Sequence, residues 1–408
     1  MRFLSCFFAA FAISPAPDVP QITSQPTKTA SLPSFIPKSS LSSSSTSLLS
    51  DGVSNWIAAT ASVSAIGSAQ APPSQADVQL LRKAFAEFYG VERDLDASLV
   101  LLTQVVERWQ GQPPDELAGL YRVRGDCYTL LADSKAAVSD YTKAIELLQG
   151  PGGDQADPIE LPSALLGRAR ALKSQGTALT KAQTKQAAGD YELSLKLTSR
   201  EDWDTDAELL EDGATRNPYA AWEWGTVLRQ VNDWKQAAYA HSLSGTAFDE
   251  IGDKPRGVMA VIDAGIDLAG GSGQTSEAKS ILQKAIAKTK GIEARDVGLL
   301  QRLIAKEGEG RMALAALLWD EGSVADAEAT LGRACERLEQ LQVDASQRNA
   351  KKDGVPLDEP KRLKFSIDDT NPAVSMSCSR FKNSAFLDEQ LGWSESLQKK
   401  MIKLETLK

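Results

Sequence analysis

Residues 121–147 read YRVRGDCYTLLADSKAAVSDYTKAIEL, and this stretch limits the possible folds more than any other. Gly125, Ala137 and Ala144 are small, Tyr128 and Tyr141 are large, and their spacing puts them on the facing sides of two consecutive helices. Small residues there let two antiparallel helices approach closely, while large ones fill the space between one layer and the next. Gly150-Pro151 then stops the second helix. A single hairpin of this kind cannot bury its apolar face alone, so it has to be stacked on others like it.

The pattern recurs. Leu314, Ala315, Leu318, Ala327, Leu331 and Ala334 repeat it near the end of the chain, and Trp224, Gly225, Leu228, Trp234, Ala237 and Ser244 repeat it within 218–247. In that copy His241 takes the place that Tyr141 holds in 121–147. Weaker copies occupy 81–107 (Leu95, Ser98, Leu102, Val105), 163–197 (Ala169, Leu172, Ala187, Tyr191) and 256–288 (Ala264, Ala278, Leu282, Ala285).

In these residues the chain resembles the tetratricopeptide repeat (TPR) family, whose units span about 34 residues. The resemblance implies an all-α, TPR-like helical-repeat solenoid of about six antiparallel helix pairs, right-handed with a concave groove, over residues 76–345. Copies start about 40 to 50 residues apart, so the turns at 152–162 and 173–185 carry insertions and 292–305 is expected to add a helix. Residues 346–408 read as a slightly basic C-terminal tail with a short terminal helix near Asp388 to Leu404. The stretches from Asn217 to Gly225 and from Ala247 to Asp253 are also similar to degenerate TPR-like proteins of plant chloroplasts.

Residues 1–71 differ from everything after them. Their charges are Arg2, Lys28 and Lys38 against Asp18 and Asp51. Arg2 precedes an apolar run from Phe3 to Ile13, which has the length and flanks of a signal-peptide core and is too short to span a bilayer. Residues 21–50 hold 15 Ser or Thr and no acidic residue, a transit-peptide composition. From Gly52 to Ala76 the chain is uncharged and alanine-rich, with a small-residue cleavage site at Ala69-Gln70-Ala71. In this order, with Ala10-Phe11-Ala12 at the first junction, the segment resembles the multipartite presequences of plastid proteins in algae of secondary endosymbiotic origin. That resemblance implies plastid import and, through the last segment, the thylakoid lumen. The segment has no twin arginine, and plain secretion or an unstructured tail remain the alternatives. None of the six asparagines forms an Asn-x-Ser/Thr acceptor, which weighs slightly against secretion.

The chain carries 45 basic and 54 acidic residues, with a pI near 5.0, so its field repels nucleic acid and anionic lipid. One histidine and four cysteines are too few for most histidine-pair, zinc-cluster or disulfide-framework chemistry. His241 stands at a packed repeat position, which points to a core histidine and away from an acid–base catalyst. Asp202, Asp204 and Asp206 have the alternate spacing of a calcium loop, but Ala207 replaces the turn glycine and Gly213 the closing glutamate. A solvated acidic loop is therefore expected there. Gly270, Gly271 and Gly273 lack the following Lys-Ser/Thr of a phosphate loop and read as turn residues. With the presequence removed, three cysteines remain, so at least one is unpaired. Cys127 and Cys335 fall on packed repeat positions, and Cys378, in the tail, is the redox candidate.

The TPR resemblance also implies a ligand-facing row on the first helix of each pair. It comprises Arg122, Asp126 and Thr129 in one copy, Tyr219, Trp222, Glu223 and Arg229 in another, and Trp319 and Asp320 in the last. Trp and Arg are frequent interface anchors. The carboxylate clamp of chaperone-binding members needs Lys and Asn at fixed groove positions; Asp126 and Thr226 occupy one such position in these copies, so the clamp is absent there. The expected function is a non-enzymatic, protein-binding adaptor or assembly factor of plastid membrane complexes, without cofactor or metal. Residues 72–345 hold 30 basic against 43 acidic residues, favouring a basic partner segment. Nucleic acid and an integral membrane span are excluded, and peripheral membrane contact is left open. The competing readings are a self-associating scaffold and an adaptor of the secretory pathway.

Overall fold

A computed structural model describes residues 73–176, 179–199, 203–271, 273–292, 297–352 and 376–404. The targeting segment read at residues 1–71 lies outside the described residues. The described residues form fourteen α-helices and no strand. These are α1 (Gln75–Tyr89), α2 (Leu95–Arg108), α3 (Pro114–Leu130), α4 (Ser134–Gln149), α5 (Glu160–Lys173), α6 (Lys181–Thr198) and α7 (Asp206–Arg216). They continue with α8 (Pro218–Gln230), α9 (Trp234–Glu250), α10 (Lys254–Gly270), α11 (Thr275–Lys288), α12 (Val297–Asp320), α13 (Val324–Lys352) and α14 (Glu395–Leu404). Helices pack on their neighbours in the chain, as a helical-repeat architecture requires. The chain divides into two compact units, one ending at Gly167 and one beginning at Arg168.

One turn recurs between helices and shows how the local sequence sets the fold. Ala132, Asn232, Gly252 and Gly322 adopt left-handed conformations, with φ of 61°, 63°, 82° and 89°. The residue after each donates its backbone N–H to a carbonyl of the preceding helix: Asp133 to Tyr128, Asp233 to Leu228, Asp253 to Phe248 and Ser323 to Leu318. The Asp133, Asp233 and Asp253 side chains then accept from the backbone N–H groups of Ala136, Gln236 and Arg256, capping the next helix. The same short motif thus closes one helix and opens the next.

In the first unit the core is built from Leu81, Ala84 and Phe88 of α1, Leu102, Val105 and Val106 of α2, and Leu117, Leu120, Val123 and Cys127 of α3, around Trp109. The Ser98 hydroxyl donates to the Ala84 carbonyl at 3.1 Å, marking the close approach of α1 and α2. The Tyr141 ring is held between two glycines. A Cβ on Gly125 would come within 3.0 Å of it, and one on Gly167 within 2.4 Å.

The second unit has one large core cluster running through α10, α11, α12 and α13. His241 is fully buried, and a Cβ on Gly225 would lie 2.7 Å from its ring. This is the packing role its repeat position implies. Thr205 accepts from the Glu208 N–H and starts α7 at Asp206, so a helix occupies part of the stretch expected to be a solvated loop. Leu210, Gly213 and Ala214 form its buried stripe. Gly213 touches the α6 backbone so closely that a Cβ would lie 2.1 Å from the Leu195 carbonyl oxygen.

No separate helix is added at 297–305. Those residues open α12, a continuous helix of 24 residues. Its glycines do not break it, because Gly308 and Gly310 seat the side chains of Leu338 and Ile262. Gly271 caps α10 and Gly273 has φ of 86°, as turn glycines do, but Gly270 is the buried last residue of α10, where the Trp234 ring leaves no room for a Cβ; Ser272 lies outside the described residues.

The helix expected near Asp388 to Leu404 is α14, shorter at its start, and the stretch before it is packed into the fold, which its sequence does not announce. Helix α13 runs past residue 345 to Lys352, and Met376, Phe381, Phe386, Leu387, Trp393, Leu397, Met401 and Leu404 are buried in the core cluster of the second unit. Cys335 of α13 and Cys378 form a disulfide with Cα atoms 4.9 Å apart, and Cys127 is free and buried. The physical reason is that these apolar residues follow no repeat period, so their burial cannot be read without knowing the surface they meet.

Candidate protein-binding face

In the first unit, Arg122 is 6 % exposed. Its Nε donates to Glu160 Oε2 at 2.7 Å and its Nη1 to Asp126 Oδ2 at 2.8 Å. The Tyr141 hydroxyl donates to the other Asp126 oxygen at 2.6 Å. Arg122 therefore ties α3 to the start of α5, leaving Asp126 as the more accessible member of the pair.

In the second unit the expected row lies mainly on α8. Tyr219 is 42 % exposed, stands edge-on to Phe248, and has the Arg256 guanidinium 5.5 Å from its ring centroid. Glu223 accepts from Arg170 Nε at 2.8 Å. Trp222 is half-buried, with its indole N–H donating to Asp263 Oδ2 at 3.0 Å. Arg229 is buried: Nε donates to Asp267 Oδ1 at 2.6 Å, Nη2 to Asp263 Oδ1 at 3.0 Å, and Nη1 to the Leu391 carbonyl at 3.3 Å. Asp267 also meets His241, whose Nδ1 is 2.6 Å from Oδ2.

Helix α12 extends this network. Lys306 Nζ donates to Asp263 Oδ1 at 3.0 Å and to Glu309 Oε2 at 2.5 Å, and the Trp393 indole N–H donates to Glu309 Oε1 at 3.1 Å. Burial would raise the Asp263 pKa, but the Lys306 and Arg229 cations outweigh it and hold the carboxyl well below the usual range. Desolvation likewise opposes the charge on Lys306, yet the Asp263 and Glu309 carboxylates push its pKa up to about 12. At the end of α12, Trp319 is half-buried against the core, and Asp320 accepts from Lys400 at 3.3 Å and Lys403 at 3.2 Å. Those two lysines hold the Asp320 carboxyl below its ordinary value against the effect of burial.

Within the second unit, Arg229, Asp263, Lys306 and Glu309 thus link α8, α10 and α12, and the network ends on Leu391 and Trp393 near the C-terminus. Asp263, Asp267, Lys306 and Glu309 were not legible as site residues from repeat position. A signal existed: two carboxylates four apart in the apolar run VIDAGIDLAG have to find buried cations.

The acidic stretch near α7 is dispersed. Asp206 pairs with Lys196 at 2.8 Å, Asp204 is exposed, and Asp202 lies outside the described residues. Among the described residues no group of three or more His, Cys, Asp or Glu is placed to hold a metal ion.

No protein-family model and no curated protein matches the chain. Among solved structures it is similar to the crystal structure of BtubC (BKLC) from P. vanneervenii, with a TM-score of 0.40 and 17 % identity over 66 % of this chain and 96 % of that one. It is also similar to the TPR2AB domain of yeast Sti1 in a pHSP90 complex, with a TM-score of 0.23 and 15 % identity over 71 % of this chain and 98 % of that one. At TM-scores this low, the fold rests on the chain's own helix packing.

Proposed function

We propose that the chain is a non-enzymatic, protein-binding adaptor or assembly factor whose second unit takes a basic, aromatic segment of a partner. One observation carries this reading: the acidic array holds a stretch of polypeptide that its repeats do not include. Arg229 grips the Leu391 carbonyl, Glu309 the Trp393 indole and Asp320 the ammonium groups of Lys400 and Lys403. A backbone carbonyl, an aromatic anchor and paired charges are the elements by which a surface recognises a peptide. The excess of acidic residues in the array adds attraction for basic sequences.

For the destination we propose the plastid, with the thylakoid lumen as the finer address and the biogenesis of photosynthetic membrane complexes as the task. The composition of residues 1–71 supports it, as does the disulfide, which suits an oxidising compartment. The disulfide suits the secretory pathway equally, which keeps an adaptor there as the second reading. None of the described helices is long and apolar enough to cross a membrane.

The test is capture by the mature chain at low salt, followed by competition with a synthetic peptide of residues 386–404. A partner with a basic segment, displaced by that peptide and by salt, is the expected result. Absence of any captured protein above background, from the oxidised and the dithiothreitol-treated chain alike, removes the adaptor reading. Localisation of a C-terminally tagged chain, with sequencing of the processed N-terminus, tests the address. A product starting near Pro72 inside plastids is expected, and one starting near Ile13 outside them favours the secretory reading.

A further inference from the structure

The segment 376–404 is joined to the array in two ways of different chemistry. One is non-covalent: Phe381, Phe386, Trp393, Leu397, Met401 and Leu404 enter the core cluster, and Lys400 and Lys403 meet Asp320. The other is covalent, the Cys335–Cys378 bond, whose two cysteines are only half-buried at the edge of that cluster. The bond closes a loop with a sequence separation of 43 and holds the segment at high effective concentration over α10, α12 and α13. The docked helix α14 is amphipathic, with Leu397, Met401 and Leu404 inward and lysines 399, 400 and 403 along it. It therefore has the composition that an acidic face of this kind attracts.

We propose that residues 376–404 are a latched internal ligand: they cover the face on which the array takes a partner's basic, amphipathic helix, and reduction of Cys335–Cys378 by a dithiol frees them to be displaced. This rests on the adaptor reading above and adds the regulation of its site. In the reductive step a thiolate of the dithiol attacks one cysteine sulfur and the other leaves as a thiolate. The second thiol of the reductant then resolves the mixed disulfide. Two electrons and two protons pass to the cysteine pair, and the reductant leaves as its own disulfide. Cys127 takes no part, since burial, reinforced by the Asp126 and Asp96 carboxylates, pushes its thiol up to about 11.

The experiment uses the full chain, oxidised or treated with dithiothreitol, beside a Cys335→Ser variant. Hydrogen exchange of residues 376–404 reads the latch. A labelled peptide of residues 386–404, added in trans, reads access to the face. Reduction of the wild type is expected to speed exchange in 376–404 at least about tenfold, leaving α8 and α9 unchanged, and to strengthen peptide binding about tenfold or more. Cys335→Ser should behave like the reduced chain and ignore dithiothreitol. Because the reduced wild type supplies the same comparison, a misfolded variant does not remove the test. Equal exchange of 376–404 in both redox states overturns the latch. Faster exchange with no peptide bound in either state upholds the latch and overturns the reading of the covered face as a partner site.

Discussion

The imidazole of His241 lies against Gly225 so closely that a single added methyl would sit 2.7 Å from its Cδ2. Substituting Gly225→Ala is therefore expected to overpack the α8–α9 crossing and destabilise the second unit by about 1–3 kcal/mol. Urea unfolding followed by tryptophan fluorescence checks it. An unchanged midpoint means that the two helices do not approach as described.

Asp263 stands where Arg229, Lys306 and the Trp222 indole converge. Removing its carboxylate in Asp263→Ala leaves two cations with reduced compensation in a largely dry site, at a cost of about 3–5 kcal/mol. The pH dependence has a definite sign. The folded-state pKa is depressed, so the stabilisation is present above the ordinary value of 3.8 and declines as pH falls below it. Denaturant midpoints of wild type and variant should converge in acid, and a constant gap across that range counts against the assignment.

Glu116 behaves in the opposite sense. Burial, with the Asp115 carboxylate adding to it, pushes its pKa from 4.5 up to about 7. The folded state therefore prefers the protonated acid, and the first unit loses stability as pH rises from 4.5 towards 7. Glu116→Gln should remove that loss and leave a flatter pH profile. Thermal melts of both proteins at about pH 5 and about pH 8 measure the difference. Parallel profiles would show that Glu116 is solvated.

Ala132 adopts φ of 61°, at the turn position where the related loops have Asn232, Gly252 and Gly322. A left-handed alanine costs about 1–2 kcal/mol, partly offset by the extra chain entropy that glycine brings to the unfolded state. Ala132→Gly is expected to stabilise by up to about 1 kcal/mol, read as a higher unfolding midpoint. A lower midpoint would place the strain elsewhere.

Much of the helical architecture could be read before any coordinate. Gly125 with Tyr141, and Gly225 with His241, are small–large pairs whose spacing alone brings two helices together, and the turns at Asp133 and Asp233 are written in a few adjacent residues. Such features are local, so composition and period are enough to determine them. Ligand-facing positions were legible as places but not as states. Arg122 and Arg229 are on the expected faces, yet both are buried in ion pairs with carboxylates 38 residues further along the chain.

The docking of residues 376–404, the pairing of Cys335 with Cys378 and the junction of Arg229 with Leu391 were decided only by the tertiary structure. Each joins residues with no periodic relation, across 43 positions in the disulfide and 162 in the hydrogen bond. Sequence determined that the chain would stack helical hairpins, because each hairpin's need for a neighbour is encoded within itself. It left open what would cover the last of them, because that depends on the shape and charge of a surface that exists only once the hairpins have stacked.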